Sequence, residues 1–333
     1  MNRIKHFIFF VILAFALPFS YGGCVLVFTT GDIEKKPPPD TADSSTDYSG
    51  RNDLAVIDST NADDLTEGAL SGGITRYKTE SAGFAQKSLT KQSSVFWPLR
   101  LPLVLKDSVQ KIETAALSVD PLRPAVETKS GILQGGCGGR LLYSMDFVRD
   151  ANVFDGSISF QNYCFRGITI SGETGVDGTY GSGTGKFSTS HFSFDELSDG
   201  QIALAGELSL DLMQQKPITA NFSAYSKELA SGQVYWIKDY SMNIAEFIGF
   251  TEIEIFGTFY HPEHGYVEST TLEPFIVHYE DEWPTSGLLR IKGADNTRAQ
   301  LTALNQVHLS IEADTDGNGG FEWDSGVIFW DDM

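Results

Sequence analysis

The strongest constraint on the fold is an alternation of large apolar residues with small or polar ones in the second half of the chain. It is clearest between residues 202 and 212. The series there is Ile202, Leu204, Gly206, Leu208, Leu210 and Leu212, and it alternates with Ala203, Ala205, Glu207, Ser209 and Asp211. A period of two predicts a β-strand with one buried face, whereas a helix would need a period of 3.6.

Shorter runs repeat this alternation along the chain. They are Ile158 and Phe160, Ile168 and Ile170, Ile253, Ile255 and Phe259, and Val307, Leu309 and Ile311. Turn signals such as Asp155-Gly156 and Asp199-Gly200 separate the runs. The short polar links leave no room for crossover helices, so we predict a mainly β fold, an antiparallel meander of roughly a dozen strands. Such a sheet would form a curled sheet, a half-barrel or a sandwich.

Residues 51–125 predict a mixed helix and strand segment before the β domain of residues 126–333. Leu54 to Asp58 is typical of a short strand. Thr60, with Asp63 three residues later, resembles a capping box that opens a helix ending at Gly72 and Gly73.

A second helix is predicted near residues 102–118, with Pro102 in its first turn. Its apolar positions have helical spacing: Leu101, Val104, Leu105, Val109, Ile112 and Ala116. This helix would cover the apolar face of the sheet as a lid, unless a second sheet does so.

The first residues have the layout of a secretory signal. Arg3 and Lys5 precede an apolar run from Phe7 to Phe19, which is too short to span a bilayer comfortably. An uncleaved anchor is the alternative, because the apolar stretch extends to Phe28, although Pro18 interrupts it. Residues 1–23 are therefore predicted to be a signal peptide.

Gly22, Gly23 and Cys24 resemble the lipobox of bacterial lipoproteins, with Tyr21 where that family usually has Leu. The resemblance implies that Cys24 receives a diacylglycerol thioether and becomes the new N-terminus. Ordinary cleavage after Gly22 is the alternative. Residues 24–50 are rich in Lys, Pro, Ser, Thr and Asp, a composition that predicts a flexible tether behind the lipid.

The cysteine count predicts one disulfide. The chain has three cysteines, and assigning Cys24 to lipid leaves Cys137 and Cys164 in a chain bound for an oxidising compartment. A pair of metal ligands is the alternative. The formal net charge of -20 argues against nucleic acid and anionic lipid headgroups as partners of the mature surface.

The best metal candidate is a calcium loop. Asp314, Asp316 and Asn318 place oxygen ligands at positions 1, 3 and 5, and Gly319 follows at position 6. The loop departs from the EF-hand because position 12 is Ser325, so Glu322 or Asp324 would supply the missing ligand. A plain hairpin turn is the alternative reading of the same residues.

Catalytic motifs are missing from the sequence, so an enzyme is the less favoured class. His261, Glu263 and His264 have carboxylate and imidazole groups suited to zinc, but their spacing fits no catalytic motif and favours a hairpin turn. An envelope hydrolase with an unrecognised site is the alternative, and His191, His261 and His278 are its candidate residues.

Several further segments resemble uncharacterised β-rich lipoproteins of Gram-negative bacteria. They are residues 265–271, 284–287, 298–301 and 314–319. The resemblance implies an envelope location, on the outer membrane facing the periplasm or the cell surface, and it carries no catalytic residue. We therefore expect a non-enzymatic, membrane-anchored protein that binds a partner protein, a glycan or an apolar molecule, with a calcium-stabilised surface protein as a further alternative.

Overall fold

A computed structural model describes residues 48–72, 97–116, 126–181, 185–213, 217–279, 281 and 283–332. Within these ranges there are two α-helices, α1 (Ala62–Ser71) and α2 (Trp97–Ala116), and two short 3-10 turns at Ala294–Asn296 and Trp330–Asp332. The strands are β1 (Val126–Gln134), β2 (Arg140–Val148), β3 (Val153–Phe165), β4 (Ile168–Tyr180), β5 (Phe187–Ser198), β6 (Ile202–Asp211), β7 (Ile218–Glu228), β8 (Val234–Glu246), β9 (Phe250–His261), β10 (Gly265–His278), β11 (Ser286–Lys292), β12 (Arg298–Ala303), β13 (His308–Asp314) and β14 (Trp323–Phe329).

All fourteen described strands belong to one sheet, and each strand pairs with its neighbour in sequence. Every pairing is antiparallel, from β1 with β2 to β13 with β14. The sheet is a meander that does not close, so β1 and β14 are its edges. The prediction of a mainly β antiparallel meander with two N-terminal helices is confirmed.

The two helices lie against one face of the sheet and bury it. α1 packs on strands β9 to β13, and α2 packs on β1, β5 and β6. The apolar positions predicted for the second helix, from Leu101 to Ala116, are all buried in the same cluster as the inward side chains of the strands. The helices therefore take the covering role, and the architecture is a curled sheet around helices rather than a sandwich.

β-Bulges bend the long strands. Asn162 in β3 and Asp239 in β8 have positive φ, at 49° and 52°, and each lies where the ladder changes register. Asn and Asp tolerate this conformation better than other side chains, and a bulge increases the local twist. The curl brings the turn after β3 to the end of β8, where Arg166 Nη2 lies 3.0 Å from Glu246 Oε1.

A glycine in β9 lets a tyrosine connect the sheet to α1. A Cβ at Gly257, where φ is +159°, would lie 2.3 Å from Cδ1 of Tyr240 on β8. The missing side chain leaves room for the Tyr240 ring, whose hydroxyl donates a hydrogen bond of 2.9 Å to the Ala69 carbonyl of α1. Burial raises the pKa of this fully buried phenol, so the neutral donor is retained.

Local details of the N-terminal prediction need correction. Asn61, rather than Thr60, is the N-cap of α1, and it makes no side-chain capping hydrogen bond. The Thr60 hydroxyl donates to Asp58 instead, so the predicted capping box does not form. Gly72 ends α1 in the left-handed conformation as expected, and Gly73 lies outside the described residues. The predicted strand at Leu54 to Asp58 is wrong: Leu54 makes one isolated bridge to Tyr266.

α2 begins at Trp97, five residues before Pro102, so Pro102 lies inside the helix. Its missing N–H removes one intrahelical hydrogen bond. The turn predicted at Asp155-Gly156 is also wrong, because both residues lie within β3, whereas Asp199-Gly200 does form the turn between β5 and β6. None of the helices in the described ranges has the length and hydropathy needed to cross a bilayer.

Candidate functional site

An open groove of about 600 Å³ runs across the outer face of strands β3 to β7. Its side chains come mainly from two polar rows of the sheet. The first row is Asp155, Asp177, His191, Ser209 and Asn221, and the second includes Thr179, Thr189 and Asp211. We call this site the outer groove.

Strand register assembles the first row. Asp155 lies opposite Asp177, and Asp177 lies opposite His191. His191 in turn lies opposite Ser209, which is paired with Asn221 on β7. Of this set, only His191 is a candidate functional residue by sequence. Polar side chains are common on the outer face of a strand, and the sequence does not show that the register aligns these five. The Asp155-Gly156 pair resembles a turn signal, which hides the place of Asp155 in a strand.

The charge of the outer groove is acidic. Three carboxylates line it, and its lining contains no Lys or Arg. Like charges that face each other across a strand pair destabilise a sheet, and Asp155 and Asp177 are such a pair. A ligand that donates hydrogen bonds or carries positive charge would relieve this repulsion.

His191 makes the only close contacts in the groove that resemble a catalytic arrangement among the described residues. Its Nδ1 lies 3.0 Å from Ser209 Oγ, and its Nε2 lies 3.8 Å from Glu207 Oε2. The second distance is too long for the hydrogen bond that orients a catalytic imidazole. Ser209 also lies in mid-strand between two paired neighbours, where the ladder takes up the backbone N–H groups that an oxyanion hole would need.

The other two candidate histidines lie elsewhere. His278 ends β10, where its ring packs on Phe250. His261 ends β9 and is buried, and its Nδ1 accepts backbone N–H groups of Glu263 and His264 at 3.2 and 3.4 Å. These bonds make the predicted hairpin turn. The three histidines therefore form no common site.

Burial, together with the neighbouring His264 ring stacked at 4.4 Å, lowers the pKa of His261 to about 4. The imidazole is therefore neutral, as its acceptor role in the turn requires. The Nε2 atom of His264 lies 3.7 Å from Asp64 Oδ2 of α1. This turn therefore links the sheet to α1. Among the described residues, neither His261 nor His264 belongs to a group of three side chains placed to bind a metal ion.

A row of aromatic rings on strands β7 to β10 packs against Tyr48, at the start of the first described range. Its members are Tyr225, Trp236, Tyr260 and Tyr266, with neighbouring ring centroids 4.5 to 5.6 Å apart. Tyr48 packs on two of these rings, and its hydroxyl lies 2.7 Å from the Arg51 carbonyl and 2.9 Å from that of His261. Burial raises the pKa of Tyr48 to about 12. The row therefore has a structural role.

The pocket where α2 meets the sheet is small. Its cavity measures about 20 Å³, and apolar side chains such as Leu103, Phe165 and Val277 line it. This volume is of the size of a single water molecule. This pocket therefore has no room for an apolar cargo.

The proposed calcium residues lie in the turn between β13 and β14. Carboxylate oxygens of Asp314, Asp316 and Glu322 lie within 4.8 Å of one another. Asn318 is in the same loop, but its side-chain oxygen accepts the Gly320 N–H at 2.7 Å.

Ser325, at position 12 of the loop, bonds to the backbone of the sheet. Its hydroxyl accepts the Ile311 N–H at 2.9 Å and donates to the Gly326 carbonyl at 2.9 Å. The structure thus brings Asp314, Asp316 and Glu322 together and assigns Ser325 to the strand pairing.

The predicted disulfide is confirmed, and it lies apart from the outer groove. Cys137 and Cys164 are bonded, with Cα atoms 5.1 Å apart. The bond ties the turn between β1 and β2 to the end of β3. Cys24 lies outside the described residues.

Comparison with known proteins adds no family and no fold relative. The sequence matches no protein-family model and no curated protein, and the structure matches no solved structure.

Proposed function

We propose that this chain is a lipid-anchored envelope protein that binds a neutral or amine-bearing glycan in the outer groove and does no chemistry on it. The observation that supports this proposal is the groove itself, a cleft of about 600 Å³ lined by carboxylate, hydroxyl, imidazole and amide groups. Its place on the outer face leaves it open to a large ligand.

The chemistry of the lining favours sugars over the other partner classes. Sugar hydroxyls both donate and accept hydrogen bonds, and the groove offers acceptors at Asp155 and Asp177 and mixed groups at Ser209 and Asn221. Anionic glycans are disfavoured, because no Lys or Arg lines the groove. An apolar ligand is disfavoured by the cost of burying carboxylates against it.

The envelope hydrolase remains the second candidate, and the contact of His191 with Ser209 is the observation in its favour. The long distance to Glu207 argues for a binding role instead. Labelling by a fluorophosphonate probe that is lost in Ser209→Ala would support the hydrolase and contradict the binding proposal.

A glycan array tests the binding proposal. We expect the full-length protein, purified in detergent, to bind a neutral or amine-bearing glycan, and we expect Asp177→Asn and His191→Ala each to weaken binding at least tenfold. Asp195→Asn is the matched control. Asp195 is an exposed carboxylate like Asp177, and it lies on β5, the strand of His191, but outside the groove. Binding restricted to anionic glycans, or equal loss in all three variants, would contradict the proposal.

The anchoring half of the proposal rests on the lipobox-like sequence before Cys24 and has its own test. We expect globomycin to block processing in cells, and we expect Cys24→Ala to release the protein from the membrane fraction and change its electrophoretic mobility. If Cys24→Ala changes neither property, lipid anchoring is wrong, whatever the outcome of the glycan array.

A further inference from the structure

We propose that the turn between β13 and β14 binds one Ca²⁺ through Asp314, Asp316 and Glu322. The three carboxylates come from the end of β13, the loop and the residue before β14. Their oxygens lie within 4.8 Å of one another, which is the largest separation allowed to two oxygens that share a Ca²⁺ at about 2.4 Å. The three oxygens are therefore close enough together to share one ion.

A buried oxygen of Asp314 supplies the second, independent observation. Asp314 is only 1% exposed, and its Oδ1 is buried with no hydrogen-bond partner. A buried carboxylate oxygen that lacks a partner is costly, and such groups in proteins are normally paired or coordinate a metal. The same carboxylate belongs to the acidic cluster, so a cation there would satisfy it.

The other oxygen of Asp314 is held in place by the protein. Its Oδ2 accepts the Gly319 N–H at 3.0 Å and lies 3.1 Å from Arg298 Nε. That Nε–H does not point along a hydrogen bond, so the contact is an ion pair only. Arg298 Nη2 donates instead to the Gly319 carbonyl, at 2.6 Å. These contacts orient the carboxylate, and Oδ1 is the oxygen that the protein leaves without a hydrogen-bond partner.

The charge balance and the donor set favour Ca²⁺. Three carboxylates face one guanidinium, which leaves a net charge of about -2 for a divalent cation to neutralise. All the candidate donors are oxygens, which suit a hard cation, and two come from an exposed loop, which suits the flexible geometry of Ca²⁺ better than the strict octahedron of Mg²⁺. Loop carbonyls and water would complete the sphere.

Calcium titration of the full-length protein, purified in detergent and treated with EDTA, tests the proposal. We expect calorimetry to show one Ca²⁺ per chain and a higher melting temperature in its presence. Terbium should show luminescence sensitised by Trp323, which follows Glu322 by one residue. Asp316→Asn and Glu322→Gln are the main variants, because both side chains are exposed and neither change threatens folding.

Each of these two variants should weaken Ca²⁺ binding at least tenfold and abolish the rise in melting temperature. Glu312→Gln, at an exposed carboxylate of β13 outside the cluster, should bind Ca²⁺ as the unaltered protein does. The proposal is overturned if millimolar Ca²⁺ neither binds nor stabilises the protein, if Mg²⁺ binds more tightly, or if both main variants retain full affinity.

Discussion

On strand β9, Phe259 points to the interior and Phe256 points outward, and the two rings show how the faces of one sheet differ. Phe259 is fully buried, stacks on Tyr235 with ring centroids 6.0 Å apart, and leaves no room for a Cβ at Gly68 of α1. Phe256 is 39% exposed. The comparison indicates that the inner face holds the fold together and that side chains of the outer face remain accessible to solvent.

The largest effect is expected on the inner face. Phe259→Ala should lower the free energy of unfolding by about 3–5 kcal/mol, because it removes a buried ring and leaves a cavity between β9 and α1. Phe256→Ala should change it by less than about 1 kcal/mol. Urea unfolding measures both, and equal losses would break the distinction between the two faces.

The disulfide should have the next largest effect. No residue of β1 is fully buried, so this edge strand has little apolar burial to hold it. Replacing Cys137 and Cys164, which are 27 residues apart, by Ala should cost about 3.5 kcal/mol in the loop-closure account. Hydrogen exchange should then rise first in β1. A urea midpoint that does not change when the disulfide is reduced would show that the disulfide is not needed to hold β1 in the sheet.

The pH dependence of stability tests the turn at His261. Its pKa is about 4 in the folded protein and near 6.5 when unfolded, so the unfolded state binds more protons between these values. Stability is therefore lost as the pH falls from 6.5 towards 4, by about 2 kcal/mol between pH 7 and pH 5 for this group. His261→Gln should flatten that part of the profile. If both proteins lose stability equally, other groups are responsible.

The smallest effect on stability is expected in the outer groove. Asp177→Asn should leave the free energy of unfolding unchanged or raise it by about 0.5 kcal/mol, because it removes the repulsion from Asp155. Asp195→Asn, on the same face, provides the baseline. Thermal unfolding measures both variants. A loss above about 1 kcal/mol for Asp177→Asn would mean that this carboxylate has a structural role.

The buried residues are predictable from sequence because they recur with the period of the strand or helix that contains them. Leu204, Leu208 and Leu210 of β6 are buried as their alternation predicts. The helical spacing of the apolar residues in α2 is equally informative, because all of those side chains are buried. Val307 is an exception: it lies before β13 and is 43% exposed.

The candidate site is harder to predict because it depends on register. Asp314 and Asp316 of the proposed calcium site are only two residues apart in sequence and belong to a recognisable motif. The residues of the outer groove come from five strands, and bulges such as that at Asn162 shift their pairing in ways that no local pattern encodes. Asp155 shows the difficulty, because its local sequence favours a turn whereas the pairing of β3 places it in the sheet.

Hydrogen–deuterium exchange of the protein with and without a glycan that binds it on the array tests the central claim most directly. If ligands meet the outer face, protection should appear at residues 153–155, 177–179, 189–191 and 209–211, and exchange in α1 and α2 should not change. Protection concentrated in α2 and in the strands it contacts, with none in the outer groove, would show that the ligand enters the interior and would contradict the account.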